Sequence, residues 1–130
     1  VMTKIRRGLL QILEQASEPL SVSALLQHPE VGCNQATVYR SLHYLEQSGY
    51  LDSFVLHCTD HGTERYYSAI TEASKHTHWF HCTVCHRFTD IGACLLDEEL
   101  KRWERQYGFT ITDHTFFLTG VCDRCKEQAT

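Results

Sequence analysis

A chain of 130 residues, 42% of them hydrophobic, has room for one ordinary domain or two small ones. It contains no run of about 18 apolar residues and no charged-then-apolar leader, which argues against membrane insertion and secretion, so we expect a cytoplasmic protein. The net charge of −4 argues against a broadly basic surface. Acidic and basic residues balance in residues 1–50, so all the excess negative charge lies after residue 50. A surface that binds double-stranded DNA is therefore expected only in the first half.

The first half of the chain predicts helices followed by a hairpin. Hydrophobic spacing places three helices and two strands at about residues 5–13, 21–29, 34–47, 50–58 and 65–70. Pro19 ends the first helical pattern, and Ser21 or Ser23 can cap the second helix. Gly49 can close the third helix. Three helices and a hairpin are typical of a winged helix-turn-helix, which we assign to residues 1–73.

The second half changes composition after Ala73. Strand-like segments at 79–82 and 87–91 precede an amphipathic helix at about 94–107, and a last strand is expected from Phe109 to Val121. The apolar stripe of the helix consists of Leu95, Leu96, Leu100 and Trp103. A β-β-α-β order predicts a small α/β domain of residues 74–130. Its apolar surface can serve a dimer contact or simply a core, so the expected fold is α+β with two domains.

Two pairs of cysteines predict a structural zinc site. Seven cysteines is an odd count, and close pairs in a reducing compartment favour thiolate ligands over disulfides. A two-residue gap lets both thiolates of a pair bind one ion, and two pairs complete the tetrahedral shell of zinc. The predicted ligands are Cys82, Cys85, Cys122 and Cys125. The alternative is a disulfide or redox pair.

The segment HTHWFHCTVCH, residues 76–86, also holds four histidines. His76 and His78 alternate along an extended segment, so both can bind one ion, with a third nitrogen from His114 and a carboxylate from Asp97. The alternative is a solvated histidine-rich loop. His81 and His86 are interpreted as surface or core histidines.

The third helix is a candidate reader of DNA. Val38, Leu42 and Leu45 share one face and are expected to pack in the core. The opposite face and the flanking segments predict contacts to bases or phosphates from Arg6, Asn34, Gln35, Thr37, Tyr39, Arg40 and Tyr44. The alternative is an ordinary amphipathic helix with a solvated polar face.

The run ATVYRSLHYLEQSGYL closely resembles the recognition helix of the ferric uptake regulator family, which comprises bacterial metal-dependent repressors. The resemblance extends from Thr3 and Arg6 to the final Cys-x-x-C. It implies the same structural zinc, a homodimer, and an AT-rich palindromic operator in double-stranded DNA.

The resemblance also bears on the regulatory metal. Residues His76, His78, Asp97 and His114 fall on the four positions of one family metal site. At the family's other site, only Asp90 matches, because the remaining positions hold Pro19, Tyr67, Thr77 and Trp79. The second site is therefore expected to be absent, or rebuilt from neighbours such as Glu18, His81 or His86.

Three nitrogens and one carboxylate suit zinc better than iron or manganese, which favour more oxygen ligands. The predicted function is accordingly a zinc-sensing repressor of metal-homeostasis genes, with an iron, manganese or peroxide sensor of the same family as the alternative. A zinc hydrolase or a metal-storage module is the alternative from another class. The sequence contains no HExxH motif, which argues against the hydrolase. Cys33, Cys58 and Cys94 are interpreted as small buried cysteines.

Overall fold

The computed structural model describes residues 1–71, 77–93 and 95–128. It divides into two compact units, Val1–Ala73 and Ser74–Thr130. Among the described residues, no helix is both long and apolar enough to cross a membrane.

The first unit contains the predicted helices and hairpin. Its elements are α1 Lys4–Gln15, β1 Leu20–Ser21, α2 Val22–Gln27, α3 Gln35–Gln47, β2 Leu51–Cys58 and β3 Gly62–Ala69. Thr3 caps α1 by accepting the Arg6 N–H at 3.2 Å, and Ser21 caps α2 in the same way. The antiparallel sheet has the order β1-β3-β2. Strand β1 was not predicted, because only its pairing with β3 makes two residues a strand.

The core of the first unit lies between the helices and β3. Val38, Leu42 and Leu45 of α3 are all fully buried, which confirms the face predicted from their spacing. The other buried members are Leu9, Leu13, Val22, Leu25, Leu51 and Tyr67. Burial of one face of α3 fixes which of its side chains remain at the surface.

Leu42→Ala is expected to lower the free energy of unfolding of this unit by about 2–5 kcal/mol, because it leaves a cavity in a fully buried position. Urea denaturation followed by circular dichroism measures the change. Gln47→Ala, at an exposed position of the same helix, is the control and is expected to change stability by less than about 0.5 kcal/mol.

The second unit is built on a smaller sheet. Its elements are β4 Thr77–Cys82, β5 Phe88–Ala93, α4 Asp97–Tyr107, β6 Leu118–Gly120 and α5 Asp123–Gln128. The sheet order is β5-β4-β6, with β5 antiparallel and β6 parallel to β4. The side chain of Cys94, one of the cysteines interpreted as buried, lies outside the described residues.

Three predictions for this unit need correction. The last strand is only Leu118–Gly120, because β4 offers a pairing edge only to that segment among the described residues. Helix α4 begins at Asp97, not at 94; Leu96 is its N-cap, and Leu95 is 91% exposed before the helix begins. Helix α5 was missed, since six residues are too few to show helical spacing.

The second unit buries little apolar surface. Helix α4 has no buried residue. An acidic first turn favours its start, and Gly108, in the left-handed conformation, ends it. The exposed large apolar side chains of the described part of this unit are Val84, Ile91, Leu95, Trp103, Tyr107, Phe109, Leu118 and Val121. A thin core of this kind needs a further source of stability.

Candidate metal centre and nucleic-acid interface

The four cysteines of the two Cys-x-x-C pairs come together in one cluster. Their sulfur atoms all lie within 4.8 Å of one another. A tetrahedral zinc shell with sulfurs at about 2.3 Å places neighbouring sulfurs about 3.8 Å apart, and the Cys85 and Cys122 sulfurs are 3.7 Å apart. Cys82, Cys122 and Cys125 are buried and Cys85 is exposed. The donor set and its spacing fit zinc.

Backbone N–H groups prepare Cys82 to be a thiolate ligand. Its sulfur accepts hydrogen bonds from the N–H groups of Val84, Cys85 and Cys122 at 3.4 to 3.5 Å. Burial opposes ionisation of Cys82, but these N–H donors outweigh it and lower its pKa to about 5. Burial raises the pKa of Cys125 to about 12, and the neighbouring cysteines act in the same direction. Protons must therefore leave the cluster when a dication binds.

Contacts outside the sulfurs hold the two pairs together. Thr83 donates both its N–H and its hydroxyl to the Gly120 carbonyl, at 2.8 and 3.1 Å. Arg87 donates to the Asp123 carboxylate at 2.9 Å. These contacts hold the Cys82–Cys85 turn, which follows β4, beside the Cys122–Cys125 segment at the start of α5.

A β-bulge changes the direction of His78. The register of β4 with β5 shifts between Thr77 and Trp79, so His78 and Trp79 are both buried although they are consecutive. Strict alternation, on which the sequence argument for His76 and His78 relied, therefore does not hold at this point of the strand. His76 itself lies outside the described residues.

The ring of His78 is fixed by the segment that precedes β6. Its Nδ1 lies 3.0 Å from the Phe116 carbonyl oxygen, and its ring stacks on Phe116 with centroids 3.8 Å apart. Because a carbonyl oxygen only accepts, Nδ1 of the neutral ring carries the proton, and Nε2 has the lone pair. Metal-binding histidines typically have this arrangement.

The other members of the predicted histidine site are not equally close. The rings of His78 and His114 lie 5.5 Å apart, and Asp97 is exposed in the first turn of α4. Among the described residues of this unit, the four cysteines have all their ligand atoms within 4.8 Å, and His78, Asp97 and His114 do not form such a group. The structure places the rings of His78 and His114 side by side.

Two positions of the family's other metal site hold buried aromatic side chains in this chain. Tyr67 is buried in the first unit, and Trp79 is buried in the second. The Asp90 carboxylate accepts the Gly92 N–H at 2.7 Å within β5. His81 is buried, with its Nε2 3.4 Å from the His86 Nδ1. Of the surface and core locations considered for His81, the structure shows the core.

The exposed side of α3 carries the predicted DNA-contacting residues. The Asn34 side chain accepts the Thr37 N–H at 2.9 Å, so it caps the helix and its carbonyl oxygen is committed to that bond. Arg40 donates to the Thr37 hydroxyl at 3.4 Å. Gln35 is exposed, and Tyr39 is 48% exposed. The first turns of α3 thus present polar side chains at the surface.

Beside this helix, the first unit has a basic concave surface with a volume of about 710 Å³. Its lining residues are Arg6, Tyr39, Arg40, His43, Tyr44, Gln47, Arg65 and Tyr67. This set contains three arginines and no carboxylate. The Arg6 guanidinium lies 3.6 Å above the Tyr44 ring, and Arg65 donates to Ser53 at 3.0 Å, so two of the cations are held in place.

Four of these lining residues were absent from the predicted DNA-contacting set, namely His43, Gln47, Arg65 and Tyr67. The sequence contains a signal for Arg65 and for His43. Arg65 lies on the wing strand two residues before Tyr67, and period-2 alternation places both on one face. His43 is three residues after Arg40, at helical spacing on the same face. Only the folded first unit shows that they line the same concave surface.

Comparison with known proteins gives a consistent result. The model of the ferric uptake regulator family matches residues 1–119. A ferric uptake regulation protein of Legionella pneumophila is 31% identical over 133 residues, which cover 96% of this chain and 90% of that protein. The one of Bacillus subtilis (strain 168) is 31% identical over 102 residues, which cover 78% of this chain and 65% of that protein.

A solved structure with a similar fold is a zinc uptake regulator complexed with zinc and DNA. The TM-score is 0.69 at 19% identity, and the match covers 99% of this chain and 85% of that one. At this identity the likeness shows the shared fold, an α+β chain that begins with a winged helix.

Proposed function

The chain belongs to the ferric uptake regulator family, and on that premise we propose that it is a homodimeric, zinc-sensing repressor of metal-homeostasis genes. Members of the family are metal-responsive transcription regulators that bind DNA and are not enzymes. The hydrolase alternative is therefore set aside. The observation that carries the proposal is the pairing, in one chain, of a basic concave surface on the winged helix with a four-thiol cluster and a buried, oriented His78.

Charge and shape support DNA as the partner of the first unit. Three arginines line one concave surface beside α3, although the chain as a whole is acidic. Guanidinium groups bind phosphate oxygens in bidentate geometry, and tyrosine hydroxyls can donate to the same backbone. We propose that α3 enters the major groove while Arg6 and Arg65 contact flanking phosphates. The AT-rich palindromic operator remains part of the proposal.

Arg40→Ala is expected to weaken duplex binding by about 1–3 kcal/mol and, where Arg40 contacts phosphate, to reduce the salt dependence by about one counterion. Fluorescence anisotropy at several salt concentrations measures both effects. Arg7→Ala is the matched control, since Arg7 is an exposed arginine on α1 that does not line the concave surface. Equal losses from the two variants would contradict the proposed docking surface.

The exposed apolar surface of the second unit supports a homodimer. Helix α4 has no buried residue, and Trp103 and Tyr107 on it are 40% and 63% exposed. Monomeric proteins rarely leave neighbouring large apolar side chains open to water. We propose that a second copy covers them and that the dimer presents two recognition helices to two half-sites about one helical turn apart.

The regulatory metal is proposed to bind His76, His78, Asp97 and His114. His78 supports this because its Nδ1 is committed to the Phe116 carbonyl and its ring lies beside His114. Helix α4 carries Asp97 in its first turn, so a metal that binds all four residues would tie the segment after the wing to this helix. Such a tie would fix the angle between the two DNA-reading units of a dimer, and metal and DNA would then strengthen each other's binding.

Zinc is favoured by the donor set of three imidazoles and one carboxylate. The names of the relatives point to different metals, since two are ferric uptake regulation proteins and the structural neighbour is a zinc uptake regulator. An iron or manganese sensor is therefore the second candidate, and the ligand chemistry, not the comparison, supports zinc.

The experiment that tests the function is duplex binding under controlled metal concentration. Fluorescence anisotropy with a palindromic AT-rich duplex is recorded while free zinc, manganese and ferrous iron are each buffered and titrated. We expect tight, salt-dependent binding to appear with zinc at a lower free concentration than with the other ions. Binding that is strong without added metal, or absent with all three, would contradict metal-dependent repression at this operator.

A further inference from the structure

The tip of the wing repeats the geometry of the cysteine cluster. Strand β2 ends at Cys58, and the next residues are Thr59, Asp60, His61 and Gly62. Strand β4 ends at Cys82, and a three-residue turn follows it in the same way. In both hairpins a cysteine closes the first strand and a potential ligand stands three residues later.

The two turns have a left-handed residue at the same position. Gly62 has a φ of 73°, and His86, at the matching position of the other turn, has a φ of 65°. A left-handed residue there lets the chain reverse while the N–H groups of the turn point at the cysteine sulfur. The sulfur of Cys82 accepts the Cys85 N–H at 3.5 Å, and the sulfur of Cys58 accepts the His61 N–H at 3.1 Å.

The ligand atoms of the wing turn have the spacing of a chelate. The Cys58 sulfur and the His61 Nδ1 lie 3.4 Å apart. A zinc ion with sulfur at about 2.3 Å and nitrogen at about 2.0 Å, in a tetrahedral shell, would separate these two atoms by about 3.5 Å.

From this geometry we propose that Cys58 and His61 form a second, independent metal-binding turn that takes a thiophilic divalent cation such as zinc. The two side chains fill two positions of a tetrahedral shell and leave the others to further donors, water included. It shares no ligand with the four-cysteine cluster or with the proposed histidine site. With two ligands from the turn, it binds more weakly than a four-thiolate site.

Cobalt titration of the full chain tests the proposal, with zinc first bound at the four-cysteine cluster. Cobalt bound to a thiolate gives a charge-transfer absorption that cobalt bound only to nitrogen and oxygen does not give. The wild-type chain is expected to bind about one cobalt ion with this absorption while its zinc content stays constant. The proposed histidine site contains no sulfur, so its success or failure does not alter this signal.

Cys58→Ser is expected to abolish the absorption, and Cys33→Ser, which changes a half-buried cysteine of the same unit, is expected to retain it. His61→Ala keeps the thiol and removes an exposed imidazole, so it is expected to shift the cobalt titration to about tenfold higher concentration or more. The same absorption in wild type and Cys58→Ser would overturn the proposal. If Cys58→Ser does not fold, an unchanged titration of His61→Ala would overturn it equally.

Discussion

Cys122→Ser is expected to release the zinc and unfold the second unit while the first unit stays folded. The apparent binding energy of a structural zinc site is about 10–16 kcal/mol, which is as large as the whole stability of an ordinary domain, about 5–15 kcal/mol. The second unit has few buried apolar residues to replace that energy, and three of its most buried side chains are themselves cysteines of the cluster. Zinc content and hydrogen exchange of residues 77–128 measure the effect.

The matched control is Cys33→Ser, which removes one sulfur from the first unit and is expected to leave zinc content and exchange in the second unit unchanged. Chelation of zinc from the wild-type chain should reproduce the Cys122→Ser result, because both remove the same tetrahedral centre. Protection retained in the second unit after zinc has left would show that its core is sufficient alone and would refute the structural role.

Asp97→Asn is expected to abolish the increase in DNA affinity that metal causes, which for coupled sites is typically about 5- to 150-fold. The substitution removes the charged oxygen of a proposed ligand and keeps the shape of the side chain. Because Asp97 is exposed, the fold should tolerate the change. Anisotropy of a labelled duplex with and without buffered zinc measures the difference, and binding in the absence of metal is expected to stay the same.

Glu98→Gln is the control for Asp97→Asn, since it removes the same charge from the next residue of the first turn of α4. It is expected to retain the metal response. His78→Ala should match Asp97→Asn in DNA binding, although it also removes a buried ring that stacks on Phe116. If Asp97→Asn and Glu98→Gln behave alike, the effect is one of charge on α4 and Asp97 is not a ligand.

Local patterns in the sequence were sufficient for the three helices and the hairpin of the first unit. The spacing of Val38, Leu42 and Leu45 identified the buried face of α3, and the helix begins where it was predicted, with Asn34 as its N-cap. These signals are strong because a helix repeats its environment every 3.6 residues, so a segment of 13 residues records it several times. The family resemblance of the recognition helix then agreed with the match to residues 1–119.

Segments that depend on distant partners were not predicted correctly. The sequence from Phe109 to Val121 has the composition of a strand, yet only Leu118–Gly120 pairs, because the available edge of β4 is short. The bulge at His78 likewise follows from the pairing of β4 with β5, and it breaks the alternation that the sequence implies. Strand pairing is a relation between two segments, and one segment carries only part of the information.

The sequence by itself determined the four-cysteine site, the winged helix and the family, because each is carried by residues at short, fixed spacing. Only the tertiary structure decided that Arg65 and His43 share a surface with Arg6, that the Phe116 carbonyl orients His78, and that the wing tip copies the turn at Cys82. The physical reason is the same in each case: surface composition, ring orientation and turn geometry arise when segments far apart in sequence pack together, and spacing along the chain does not record that contact.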